Sequence, residues 1–524
     1  MIRRHYDVVV LGRSIGALAA AALLARRDFT VLVLGHGGRP PGYRVADHEV
    51  RRRAFTFLGA TSPAWLRIVS ELAQSQTWRR RTVALDPMLQ VVSGPRRLDV
   101  PPDLTRFGHE IERELPEVRH VIDDLYGVLA RVNAAADEAF QEDLVWPPGT
   151  FWERRETNRR AATLPYVRAE PDADLLADFP RGHVFRQIVQ ASALFATHVS
   201  ALPPPFAVAR LHGSWTRGLL GLPRGEDDLV DFLVQRVEAH GGACRLDQRA
   251  ASVVLRRGGA AGVLVDGEDE ETGADWIITD LDGEGLASLA GGQGIQKSAM
   301  REWPRITSTV GRFVVSLVVR REGIPEPLGP ETLLLPPVRA GGARAVPSRE
   351  VRGFRGREPI VHLQKLDLGD PHTQLLVAEI LLPDVGAIEV GDARAAVLEA
   401  VRAELPFLDK HLVVVDSPHD GLPVWVYERG VRREVARPAT GPRAAGPEPM
   451  ERQLEVDPPG YIGLAGEPIR GPIAGTLLVG RSVLPALGQE GALLAAWGAA
   501  RLVTKGDRRR QRMRRDLWTK MELG

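Results

Sequence analysis

The sequence predicts an α/β chain, with a βαβ unit at its start and an α+β unit further along. Three observations predict it. Val8–Leu11 and Val31–Leu34 are short apolar runs of the kind buried strands make, and they bracket a small-residue turn and an Ala/Leu-rich segment ending in Arg26-Arg27. Amphipathic and β-rich segments alternate again from Glu226 onward. Near the end, the apolar run Thr476–Val479 meets Gly480, and a small-residue helix follows from Gly491.

The opening unit reads strand, glycine turn, helix, strand, with cations at the C-terminal end of the helix, where its dipole favours them. That order is the opening of a dinucleotide-binding βαβ unit, whose helix N-terminus offers free N–H groups to a pyrophosphate. In the G-x-G-x-x-G pattern the first glycine makes the turn, the second admits the pyrophosphate and the third packs helix on strand. Here those positions are Gly12, Ser14 and Ala17, with Arg13, Ile15 and Gly16 between them. Ser14 puts a side chain where phosphate would approach. The acid expected on the ribose is replaced by Gly35. The same residues spell G-x-S-x-G from Gly12 to Gly16, the nucleophile-elbow pattern of α/β-hydrolases, with Ser14 as the nucleophile. An elbow serine normally follows several strands, and here it follows the first. The plain alternative is a helix packed on a strand with no ligand.

Composition narrows the function classes. The 524 residues are 44% apolar and 26% charged, ordinary for a globular chain long enough for two or more domains. The formal net charge of +1 gives no overall field toward nucleic acid. One cysteine, Cys244, permits no internal disulfide and no cysteine metal site, which fits a reducing compartment. Cys244 falls in a strand and reads as core. The histidines show no metal-ligand spacing, so no metal site is expected. Asp7 and Arg13 interrupt the N-terminal apolar run, which therefore reads as domain core and not as a leader. No apolar stretch is long enough to span a membrane.

Further elements follow in order. Val83–Val92 alternates as a strand pair would. Arg96–Pro101 is a short strand. Asp103 caps a helix closed by Pro116, and Ile122, Leu125, Leu129 and Val132 recur at helical spacing, so residues 103–204 read as a mainly helical insertion. Glu226–His240 is an amphipathic helix ended by Gly241-Gly242. Strands are expected at Cys244–Leu246, Val253–Leu255, Gly262–Val265 and Asp275–Thr279. Thr309–Val319, Leu375–Leu382 and Leu412–Val415 are β-rich, and a helix starts at Asp392. Ala436–Met450 reads as an exposed loop.

Three later stretches make the chain resemble the flavin-dependent phytoene desaturase and amine oxidase superfamily. They are Leu98–Asp103 followed by Glu114–Glu117, then Leu222–Gly225 through Ala274-Asp275, and Leu484–Ala492. The resemblance implies a Rossmann-like, discontinuous FAD-binding domain with an α+β substrate domain. Its FAD parts would be residues 1–102, 205–300 and 451–505. The substrate parts would be 103–204 and 301–450, with a basic tail at 506–524. It implies FAD with its pyrophosphate at Gly12–Ala17, and Gly488, Glu490, Gly491 and Ala492 near the isoalloxazine. It implies hydride chemistry on a lipophilic, polyene-like small molecule, with no catalytic residue named. The cofactor positions depart from the family pattern. Arg39 starts Arg-Pro-Pro-Gly where relatives have Arg and two glycines, and Gly480 is followed by Arg481 where many have aspartate. Arg39 and Arg481 are candidate phosphate partners, or pair with carboxylates. The alternative function is a non-catalytic member of the fold that has lost FAD and binds a lipid or protein partner. Trp497 either walls the flavin or packs. Arg508–Arg515, with Leu517, Trp518 and Met521, is a candidate for peripheral contact with the inner face of a membrane, in a cytoplasmic protein that binds no nucleic acid.

Overall fold

In the computed structural model, which describes residues 4–167, 174–296, 301–336, 354–355, 358–385, 388–437 and 446–507, the opening apolar run is the centre of a seven-stranded sheet. Its elements are β1 (His5–Leu11), α1 (Ile15–Arg26), β2 (Val31–Leu34), α2 (Glu226–Ala239), β3 (Ala243–Arg245), β4 (Glu271–Thr279), β5 (Thr476–Leu478) and α3 (Gly488–Gly506). β1 pairs in parallel with β2 on one side and β4 on the other. β3 extends the parallel sheet beyond β2, and β5 extends it beyond β4. The hairpin Ala250–Arg256 and Gly259–Val265 adds two antiparallel strands to the start of β4. Val8–Leu11 and Val31–Leu34 are 0% exposed, which is why they carry no polar alternation.

α1 starts because Ser14 caps it, its oxygen accepting from the Ala17 N–H at 3.3 Å. Every residue from Gly16 to Ala25 is buried, and small side chains let the helix pack against both α2 and α3. A Cβ on Gly16 would lie 2.2 Å from the Val479 carbonyl, so this glycine serves helix-on-strand packing.

A ten-stranded sheet forms the second layer. Its spine is Arg305–Arg320, antiparallel to Thr373–Pro383, Leu412–Asp416 and Glu451–Asp457. Helices Leu104–Glu114, Arg119–Gln141, Phe151–Ala161, Val184–Ala196 and Pro205–Thr216 lie between the two sheets in sequence. Asp103 caps the first of them by accepting from the Arg106 N–H.

Several sequence boundaries move. Val83-Ala84 pairs with Leu220-Gly221, not with its neighbour. Leu89–Ser93 and Arg96–Val100 belong to the second sheet, through parallel pairing of Leu89–Ser93 with Glu331–Leu334, so residues 89–100 lie outside the seven-stranded sheet although the expected first segment runs to 102. Glu451–Asp457 likewise pairs with the long spine, so the third segment starts after it. α3 begins at Gly488, three residues before the expected Gly491. Residues 438–445 of the expected loop and 508–524 of the basic tail lie outside the described residues.

One packing contact carries a pH dependence. Glu467 is 7% exposed, and one of its oxygens accepts from the Gly283 N–H at 2.8 Å. Burial, with Asp282 and Glu284 adding negative charge, outweighs that donor and the nearby Ser482 hydroxyl and pushes the Glu467 carboxyl up to about 7. The unfolded chain ionises this group near the ordinary pKa of about 4.3, so the folded state holds a proton that the unfolded state has lost. Stability therefore falls as pH rises between those two values and levels off above the upper one, by up to about 3 kcal/mol. Glu467→Gln should flatten this slope in urea titrations across that range and be the more stable protein at pH above about 7.

Candidate functional site

The turn between β1 and α1 is built around Gly12, whose φ of +129° suits glycine. A Cβ there would lie 2.0 Å from Asp280 Oδ1. Asp280 follows β4, at the carboxyl end of the parallel sheet, where open α/β sheets bind ligands. Its carboxylate accepts from the Ser14 N–H at 2.9 Å and from the Arg13 N–H. Burial pushes its pKa up, against those hydrogen bonds. The next two N–H groups, of Ile15 and Gly16, take no acceptor among the described residues. The helix end therefore still offers donors to an anion, with a carboxylate beside them.

Arg13 stands next to these donors. Its guanidinium makes no hydrogen bond or ion pair among the described residues, and its Nε is buried without a partner. Burial lowers its pKa. The side chain crosses Gly38, where a Cβ would lie 2.5 Å from Arg13 Cγ. Ser14 is no esterase nucleophile: its oxygen caps α1 and faces Asp280, and among the described residues no histidine bonds to it.

The other predicted positions divide. A Cβ on Gly35 would lie 1.9 Å from the Leu246 carbonyl, so backbone closes the place of a ribose acid. Arg39 pairs with Glu448 at 2.8 Å, and Arg481 pairs with Glu451 at 2.6 Å, so both meet carboxylates. Gly480, Gly488 and Gly491 sit where a Cβ would lie 2.0–2.3 Å from the carbonyls of Asp280, Ala196 and Leu484. Their smallness is thus required by neighbouring backbone. Glu490 does not reach the cavity: it forms a two-pronged pair with Arg210, both contacts at 2.7 Å, and accepts from Ser62 Oγ. Ala492 lines the cavity. Trp497 packs, with its Nε1–H on Asp143 and the Arg67 guanidinium 3.7 Å from its ring centre. Burial pushes the Cys244 thiol up to about 12, away from the thiolate form that a nucleophile needs.

One cavity of about 350 Å³ runs from Arg13, Ser14, Ile15 and Asp280 to the second sheet. Its far wall carries polar groups that the sequence pattern does not single out. His362 and Glu379 face each other on adjacent strands. Glu331 fixes His362, accepting from its Nε2 at 2.8 Å, and also accepts from Thr56 Oγ1 and Gln364 Nε2. Arg312 bonds one oxygen of Glu379 and donates to the Phe195 and Thr197 carbonyls. The other Glu379 oxygen has no partner among the described residues, and burial pushes this carboxyl up. Burial lowers His198 to about 3, which keeps it neutral. The signal in the sequence is a polar residue on the inward side of an apolar strand, as in Ala378-Glu379-Ile380. Cavity walls also include Phe55, Phe195, Trp215 and Leu229.

Residues 10–72 match the NAD(P)-binding Rossmann-like domain family. No curated protein matches the chain. Among solved structures, an oxidoreductase from Methanosarcina mazei is 16% identical, with 93% of this chain and 98% of that chain covered and a TM-score of 0.53. A protein from Pyrococcus furiosus is 14% identical, with 95% and 98% covered and a TM-score of 0.55. The chain therefore has an α/β fold shared with these two structures, and it opens on a Rossmann-like unit.

Proposed function

We propose that the protein is an oxidoreductase that takes a dinucleotide, FAD, at the N-terminus of α1 and a polar small molecule against the second sheet. The observation that carries this reading is the shared cavity that joins the Ile15 N–H and Arg13, whose guanidinium has no partner among the described residues, to Glu379, His362 and Arg312. The residues that would hold the diphosphate are Arg13 and the N–H groups of Ile15 and Gly16. A bound flavin would supply hydride acceptance. Arg312, held by Glu379 and two carbonyls, orients the Glu379 carboxyl. The free Glu379 oxygen holds or accepts a proton at the substrate. The Glu379 oxygen that has no partner among the described residues speaks for a polar substrate and against a polyene, which would leave it buried without a hydrogen bond.

A second reading is favoured by Asp280, the closed Gly35 site and the carboxylates on Arg39 and Arg481: the fold holds no FAD and binds a polar ligand without turning it over. The absorption spectrum of the purified protein separates the two. Flavin bands, or uptake of added FAD, support the oxidoreductase. A colourless protein that takes up no FAD supports the binder. Arg13→Gln should weaken FAD uptake about tenfold, because the substitution removes the one cavity guanidinium without a carboxylate partner among the described residues.

A further inference from the structure

We propose that the helix Phe151–Ala161 is a docking surface for an anionic lipid bilayer. This surface is separate from the cavity and independent of whether a cofactor is bound there. Phe151 is 71% exposed and Trp152 67%, and their rings meet edge to face at 5.4 Å. A helix of a soluble domain turns its aromatic residues inward and its charges outward. Here Thr157 and Ala161 face the protein. At about 100° per residue, Phe151, Trp152, Arg155 and Arg159 share one outward arc of about 100°. A capping box between Thr150 and Glu153 holds the first turn, so the arc is presented in a fixed direction.

Charge decides what fits it. Arg155 lies over the Trp152 ring, and Arg154 and Arg159 are exposed with no carboxylate partner among the described residues. The acids around the helix are occupied. Glu153 pairs with Arg470, Glu138 and Glu142 with Arg160, and Asp143 and Glu156 with Arg501. The outward arc is therefore aromatic and cationic, the chemistry that seats a helix at the headgroup level of an anionic membrane. A second copy of the chain fits less well, because a twofold contact would set the arginines of one copy against those of the other. Arg501 also places the last turns of α3 beside this helix, and the arginine-rich run 508–515 follows α3 in sequence.

The test is co-sedimentation of the full chain with vesicles of phosphatidylcholine alone and of phosphatidylcholine with phosphatidylglycerol. The chain should sediment with the anionic vesicles only, less so as salt rises. The double substitution Phe151→Ser, Trp152→Ser should weaken binding about tenfold or more, and Arg155→Glu with Arg159→Glu should do the same. Thermal unfolding should be unchanged in both, since the replaced side chains are exposed. Failure of the intact chain to sediment overturns the proposal. So does loss of binding on truncation after Asp507 while the Phe151/Trp152 variant binds as the parent does. Binding to a single-stranded oligonucleotide but not to vesicles, or a dimer that the aromatic substitutions dissolve, also overturns it.

Discussion

Arg210→Ala is expected to cost about 3–5 kcal/mol of stability, because it breaks a buried ion pair from one side only. Arg210 is 3% exposed and Glu490 8%, and the pair ties the helix Pro205–Thr216 to α3. Arg210 also reaches Asp137 at 2.6 Å and Asn133 Oδ1 at 3.0 Å, and Glu490 receives the Ser62 hydroxyl. Three helices and Ser62 thus meet on one guanidinium and its carboxylate. Removing the arginine leaves Glu490 buried with a single hydroxyl donor, which is the costly half of breaking a buried pair. Replacing both partners by apolar residues, Arg210→Met with Glu490→Leu, should recover most of the loss. Burial alone would raise Glu490, but Arg210 outweighs it and holds the carboxyl below its usual range. The pair's contribution is therefore present above the unfolded pKa of about 4.3 and fades as pH falls through the depressed folded value. The parent should lose stability on acidification there, and Arg210→Ala should show a shallower slope. Urea midpoints at several pH values check both statements.

That pair also shows where the sequence stops being readable. The residues Gly488 to Ala492 look the same in the chain whether Glu490 meets a cofactor or an arginine, because the partner comes from a helix far upstream. The opening βαβ unit is legible because its signals are local: apolar runs too short and too uniform for a helix, and a turn of small residues between strand and helix. The place of Leu89–Ser93 is not, since its register is set by Thr332–Leu334 and no local pattern says which sheet a strand joins. The polar wall of the cavity is half-visible. Glu379 and His362 break the apolar run of strands that are otherwise almost fully buried, and an inward polar residue needs a partner or a ligand. Asp280 escapes a reading by apolar pattern, because it lies one residue past the end of the strand Asp275–Thr279 and faces a glycine turn that is distant in sequence.

Asp280 is where the presence of a cofactor becomes measurable. Its carboxylate occupies the Ser14 and Arg13 donors, next to the free Ile15 and Gly16 N–H groups where a diphosphate would sit. Two unit charges about 5 Å apart repel by about 3 kcal/mol at an effective dielectric constant of about 20. An ionised Asp280 therefore opposes a diphosphate strongly, and a protonated one does not. Asp280→Asn keeps an oxygen for the Ser14 N–H and removes the charge, so the turn should stay folded. FAD affinity, read from quenching of flavin fluorescence, should rise about tenfold or more in this variant at neutral pH and above. The sign of the pH dependence follows from the same group. Burial raises the Asp280 pKa in the free protein, and a neighbouring diphosphate raises it further, so binding favours the protonated form. FAD affinity of the parent should therefore fall as pH rises through that pKa, relative to Asp280→Asn, in which this slope is absent. Equal affinities of parent and variant at every pH would show that the carboxylate does not face the bound nucleotide, and would return Gly12 and Asp280 to a purely structural role at the end of the sheet.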